Sequence, residues 1–293
     1  MSASAVVTTR SAAADYLELT KPRITSMVVL TAFVGYAVAS TGSLLTERLA
    51  AALLGTALVA AGASCLNMLL ERRTDALMLR TRNRPLPAGR LRPAEALGWG
   101  LVLTTTGLVL LVWRTGPLPA AVAFVTWASY LFLYTPLKTR TSLSTVVGAL
   151  PGALPPVIGW AAARGSLEPG AFVLFAIVFL WQIPHFLAIA WIYREDYARG
   201  GLPMLPVLDP DGRITGRQAV ANTLALLLVS FAPAAAGIAG RAYLVGALLL
   251  GLGFAAVALR AAVLRTPQAA RALFLASIAY LSGLCMLLLA SRV

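Results

Sequence analysis

Charge is scarce in this sequence. Asp, Glu, Lys and Arg make up 12% of its 293 residues, against 59% hydrophobic ones, which excludes an ordinary soluble globule with a wetted surface. Histidine occurs once, as His185, and cysteine twice, as Cys65 and Cys285. Both cysteines fall inside apolar stretches, where a free thiol behaves as a small hydrophobe, so neither a disulfide nor a cysteine metal site is assigned. A signal peptide is also missing. Up to about Asp15 the chain is small and polar, with no apolar core followed by a cleavage site, and reads as a cytoplasmic tail.

Long apolar runs are what the chain has in quantity. Crossing about 30 Å of hydrocarbon takes roughly 20 helical residues, and runs 24–41, 47–70, 95–113, 117–135, 143–163, 170–193, 218–238, 242–264 and 270–290 qualify. They predict an all-α polytopic membrane protein lying in a lipid bilayer, with a short tail over 1–20 and one transmembrane domain over 21–293. The net charge of +13 does not point to nucleic acid, because it alternates with the loops. The N-terminus and the loops after runs 2, 4, 6 and 8 hold 19 of the 24 Lys and Arg residues. The other side holds Arg48, Arg114, Arg164, Arg241 and Arg292. That bias puts the N-terminus in the cytoplasm and the C-terminus outside. Nine of the eleven acids are also cytoplasmic, so any chemistry is expected there.

The densest polar stretch closes the second run. Asn67, Glu71 and Asp75 are spaced four apart, which on a helix offsets neighbours by about 40° and makes one stripe. Three oxygen-bearing side chains suit a hard cation such as Mg²⁺, which in turn suits a diphosphate. Arg80 and Arg84, close behind, would hold the same anion by charge-assisted hydrogen bonds. Asn67 lies about one turn deeper than Glu71, where a polar side chain faces the bundle interior.

Other candidates are more scattered. The second long cytoplasmic loop brings Tyr193, Glu195, Asp196 and Tyr197. Adjacent acids are about 100° apart on a helix and do not easily share one ion, so Asp196 alone is taken as a second-cation or substrate contact. Lys138 is either simple positive-inside anchoring or a diphosphate contact. His185, beside Gln182 and Pro184, lies roughly 12 Å below the cytoplasmic end of the sixth run. An imidazole at that depth points to substrate contact, with iron ligation a second option. Pro151, Pro155 and Pro156, with Gly152 and Gly159, predict a kinked fifth helix able to wall a cavity.

Three ordered blocks of residues carry a resemblance. Asn67, Glu71, Asp75, Arg80, Arg84 and Pro85 form the first. Tyr134, Thr135, Lys138, Gly152, Pro155 and Pro156 form the second. Trp181, Gln182, Pro184, His185, Tyr193, Asp196 and Tyr197 form the third. Together they resemble the membrane-embedded polyprenyltransferase superfamily, and within it the haem-farnesylating branch.

The resemblance implies nine transmembrane helices around a central cavity opening to the cytoplasmic side, in the inner (cytoplasmic) membrane. It implies Mg²⁺ as cofactor, and farnesyl diphosphate and haem B as substrates, the farnesyl group passing to a vinyl group with addition of water. Haem-processing or terminal oxidase assembly proteins are the implied partners. Asn67, Glu71, Asp75 and Asp196 would be catalytic and metal-binding, Arg80, Arg84 and Lys138 diphosphate-binding, and His185 haem-binding. The second loop departs from the general superfamily pattern, which has spaced aspartates there; that weakens carry-over of a two-Mg²⁺ arrangement. A quinone- or chlorophyll-type prenyltransferase is the runner-up. A transporter using Asn67, Gln182 and His185 along a pathway is the rival from another class, and the one-sided charge argues against it.

Overall fold

The computed structural model describes residues 11–291. The first half of the expected tail, 1–10, and the C-terminus expected outside, 292–293, lie beyond them. Among the described residues nine helices are long and apolar enough to cross a membrane, so this is a multi-pass, all-α membrane protein.

A short helix α1 (Ala12–Leu19) comes first. The spans are α2 (Pro22–Ala39), α3 (Glu47–Leu77), α4 (Pro93–Thr115), α5 (Pro117–Leu137), α6 (Ser144–Arg164) and α7 (Pro169–Ile192). After a small helix α8 (Arg194–Arg199) follow α9 (Arg213–Ala235), α10 (Arg241–Leu264) and α11 (Pro267–Ala290). Five spans begin with proline at the first turn, namely Pro22, Pro93, Pro117, Pro169 and Pro267. At that position the N–H that proline lacks has no partner to lose, and its φ is already helical.

Small residues set the helix crossings, since lipid offers no hydrophobic drive between helices and close backbone packing must supply the attraction. A Cβ added to Gly62 would strike Thr104 of α4, and one on Gly107 would strike the Gly55 carbonyl of α3. The α2–α6 crossing is tighter still: Gly35 abuts the Pro156 carbonyl, and Gly159 the Ala32 carbonyl. Cys65 and Cys285 are free and buried, as expected.

Two spans are irregular where proline intervenes. As predicted, α6 breaks at Leu154, between Ser144–Ala153 and Pro155–Arg164. In α5 the stretch Ser129–Tyr134 widens into a π-helical turn. Pro136 follows closely, and its ring would clash with the carbonyl four residues back, at Phe132, so the wider turn makes room for it.

Two features shape the end of the bundle that carries the stripe. Helix α3 runs on to Leu77, well past the end of its apolar run, and carries Glu71 and Asp75 with it. Residues 12–19 are not a plain tail. They fold as α1 against α3 and α4, with Leu19 fully buried among Cys65, Met68, Leu86 and Leu103, and with Tyr16 edge-on to Trp99 at 5.8 Å. Burying a leucine side chain at this aqueous boundary contributes about 2 kcal/mol.

Candidate functional site

The Asn67–Glu71–Asp75 stripe faces inward. These side chains are 1%, 8% and 1% exposed, which rules out a solvated headgroup-facing role. Each is met by a group from a different part of the chain. Lys21 Nζ donates to Asn67 Oδ1 at 2.7 Å, and Asn67 Nδ2 donates to Thr135 Oγ1 at 3.0 Å. Lys138 Nζ pairs with Glu71 Oε1 at 2.9 Å. Arg84 Nη1 pairs with Asp75 Oδ2 at 2.7 Å. Asp75 Oδ1 is buried with no hydrogen-bond partner.

The π-helical turn supplies the α5 wall. Thr135 Oγ1 donates to the Tyr130 carbonyl five residues back, at 2.8 Å, which points its lone pairs at Asn67. Tyr130 and Tyr134 stack at 5.5 Å, and Lys138 Nζ lies 6.0 Å from the Tyr134 ring. Widened turns of this kind recur at functional sites because they re-aim side chains. The expected wide central cavity is not displayed by the described residues. The space nearest the cluster is a recess lined by Tyr134, Lys138, Ser144, Phe186 and Tyr197.

Two carboxylates facing Lys21, Arg84 and Lys138 leave an excess of positive charge even before Arg80 is counted. Burial strips water from the Lys21 ammonium, and with Arg84 and Lys138 nearby its pKa falls to about 8 despite Glu71 and Asp75. Burial acts on Lys138 in the same sense, but the Tyr134 and Glu71 oxygens outweigh it and hold that lysine above its ordinary value. Such a site is poised for an anion. It also fits a divalent cation: the orphaned Asp75 oxygen lies on the same stripe as Glu71 and the Asn67 amide, an all-oxygen donor set suited to a hard ion. No cluster of three or more His, Cys, Asp or Glu side chains forms a metal site among the described residues, so the set depends on the Asn67 amide.

The Arg80 guanidinium lies 4.8 Å from the Tyr193 ring and 5.5 Å from the Tyr197 ring, with Nη2 3.4 Å from the Tyr197 hydroxyl, a seat of cation–π contacts.

Asp196, read from the sequence as a second-cation or substrate contact, is engaged here with the first loop. Its oxygens accept the backbone N–H groups of Leu79 and Arg80, both at 3.0 Å, and Arg199 Nη1 at 2.8 Å. With these bonds made, the carboxylate serves as a clasp that docks the second long loop on the first. Met78, Tyr197, Leu202 and Met204 pack beneath it.

His185 belongs to another wall. It packs against α11, between the Trp181 ring at 4.8 Å and the Phe274 ring at 5.0 Å, with Nδ1 2.8 Å from Ser277 Oγ. Gln182 nearby donates to the Ala149 carbonyl at 3.2 Å, tying α7 to α6.

Lys21 is the participant that sequence reasoning missed, and Thr135 was legible only as a member of the second block, with no role given to it. Lys21 sits at a backbone corner in the left-handed region, φ 47°, a conformation costing a non-glycine residue on the order of 1 kcal/mol. Pro136 was the one local signal for the bent segment that presents Thr135.

Comparison with known proteins agrees with this architecture. Residues 28–284 match the model of the UbiA prenyltransferase family. A protoheme IX farnesyltransferase of Solibacter usitatus is 50% identical over 287 residues, covering 95% of this chain and 98% of that protein. One of Salinibacter ruber is 46% identical over 275 residues, covering 94% and 97%. Among solved structures, a digeranylgeranylglyceryl phosphate synthase superposes with a TM-score of 0.79 at 16% identity, over 95% of this chain and 98% of that one. A UbiA homologue from Archaeoglobus fulgidus bound to GPP and Mg²⁺ gives 0.65 at 16% identity, over 94% and 99%. At these identities the solved structures speak for the fold alone.

Proposed function

The chain belongs to the UbiA prenyltransferase family, and from that membership we propose that it moves the farnesyl group of farnesyl diphosphate onto a vinyl group of haem B, giving haem O and diphosphate. The relatives named protoheme IX farnesyltransferase favour this acceptor over a quinone or chlorophyll precursor. The observation that carries the diphosphate half is the ring of Lys21, Arg84 and Lys138 around two buried carboxylates.

Asn67, Glu71 and Asp75 would hold a divalent cation, Mg²⁺ in this reading, which supplies positive charge to a diphosphate as it leaves. Lys21, Arg84 and Lys138, freed from their present partners, would take the remaining phosphate oxygens by charge-assisted hydrogen bonds. Arg80 would close the mouth. Fixed charge aimed at a departing anion in a water-poor site contributes several kcal/mol to a rate.

The allylic C–O bond breaks with its electron pair going to the diphosphate. The π pair of the haem vinyl group then forms the new C–C bond, and the cation left on the haem side takes up water and sheds a proton. Until attack occurs, the allylic cation must meet no water. The rings of Tyr130, Tyr134 and Phe186 would line its path, apolar yet able to stabilise a cation.

We assign His185 to the haem. Ser277 Oγ donates its single proton to the Phe274 carbonyl at 2.6 Å, so in the contact with His185 it must accept. Nδ1 therefore carries the imidazole proton, and Nε2 keeps its lone pair. That tautomer suits an axial iron ligand better than a propionate contact, which would call for a second donor.

This reading keeps one transmembrane domain over 21–293 in the inner (cytoplasmic) membrane, with the N-terminus inside. Haem-processing or terminal oxidase assembly proteins would receive the product. The test is direct: membranes holding the protein, given haem B, farnesyl diphosphate and Mg²⁺, should yield haem O by mass. A prenylated quinone precursor, with no farnesylated haem, would overturn the assignment.

A further inference from the structure

Asp15 lies on α1, outside the site, yet it is 3% exposed. Arg90 Nε donates to both of its oxygens, at 2.9 and 3.1 Å, and Arg90 Nη2 lies 3.7 Å from Glu18. The guanidinium's Nη1 donates to the Asn83 carbonyl at 3.0 Å, one residue before Arg84. Asp15 is buried while the Arg90 side chain keeps 29% of its surface in solvent, so the pair adds little stability of its own; a carboxylate held this way is useful for fixing one register among several. Here the register has a visible consequence. Leu19 is locked into the α3–α4 wedge, the next residues form the left-handed corner, and Lys21 emerges with Nζ on Asn67.

We propose that Asp15 and Arg90 are positioning residues for prenyl transfer, a clasp on the cytoplasmic face that seats α1 and thereby delivers Lys21 to the diphosphate. The proposal rests on the diphosphate reading of the site. It explains why a short, otherwise surface-lying helix holds a carboxylate away from water. It also explains how a strained lysine corner persists: Pro22 begins α2 on one side and the clasp holds α1 on the other, so the backbone between them has nowhere to relax. Asp15 has no contact with the α3 stripe or with Arg84, so its influence on binding passes through Lys21, whereas Arg90 also holds the Asn83 carbonyl beside Arg84.

The test is a double-mutant cycle read by the KM for farnesyl diphosphate. Lys21→Met and Asp15→Asn should each raise that KM by about tenfold, one charge-assisted contact's worth, with the KM for haem B unchanged. Asn at position 15 leaves no unpaired buried charge, and Asp15→Ser, which likewise removes the carboxylate, serves as the second variant should it fold poorly. In the Lys21→Met background, Asp15→Asn should add nothing further. If it adds a full second tenfold, or has no effect alone while Lys21→Met does, the clasp does not act through Lys21 and the inference is wrong. If Lys21→Met itself leaves the KM unchanged, it is the diphosphate reading of Lys21 that fails, and the clasp proposal falls with it.

Discussion

Arg84 Nη1 lies 2.7 Å from Asp75 Oδ2, while Oδ1 of the same carboxylate is buried without a partner. One oxygen is thus held by a cation of the protein, and the other would be the one to meet the divalent cation of the proposed reading. Asp75→Asn keeps the shape and removes the charge. Turnover should fall by about 10²-fold or more, as for loss of one preorganised electrostatic group, with the fold intact by circular dichroism. Wild-type haem O production by the purified variant would show that the metal has been misplaced.

Lys138 and Glu71 separate stability from catalysis. Both are buried, at 13% and 9% side-chain exposure, so Lys138→Met leaves Glu71 with less compensation and should destabilise by about 3 kcal/mol, the low end for breaking a buried pair because Lys21 remains near. Lys138→Met with Glu71→Gln should recover most of that loss in thermal unfolding and none of the activity. Recovery of activity along with stability would make the pair purely structural.

The Asp196 clasp carries a pH signature. Burial opposes ionisation, but the amides of Arg80 and Leu79 and the Arg199 guanidinium outweigh it and hold the carboxyl below its ordinary range. A lowered folded pKa means the clasp's contribution is complete above the unfolded value of about 3.9 and is lost as pH falls through the lower folded one. Protection of the Leu79 and Arg80 amides, corrected for intrinsic exchange, should be level from pH 8 to 5 and decline only below about 4. A decline between 7 and 5 would mean that another group holds the loops.

What could be read in the sequence follows from range. Nine spans were legible because each is a continuous apolar run, and the α3 stripe because spacing by four is local helical geometry. Pro155 and Pro156 announced the break in α6 for the same reason. Lys21 was not legible: it meets Asn67 across 46 residues and looks like any positive-inside lysine. The Asp15–Arg90 contact spans 75 residues and was missed likewise. Asp196 bonds backbone amides that any residue would offer, so no side-chain pattern marks its role. The π-helical turn had one cue, Pro136, which signals that a regular turn is disfavoured without saying which residue will face inward.

His185 and Ser277 allow the haem assignment to be tested apart from the diphosphate chemistry. The serine's one proton goes to the Phe274 carbonyl, which obliges Nδ1 of the imidazole to donate and leaves Nε2 with the lone pair that the proposed haem contact would use. Ser277→Ala removes the acceptor that selects this tautomer but keeps the ring between Trp181 and Phe274. Haem affinity should then weaken by about tenfold, the lower bound for loss of an outer-shell partner, while the KM for farnesyl diphosphate stays constant. His185→Ala should cost more and should also shift the haem Soret band, since a ligand and not its orientation is lost. An unchanged spectrum and affinity in purified His185→Ala would remove this side chain from the iron and return it to helix packing between α7 and α11.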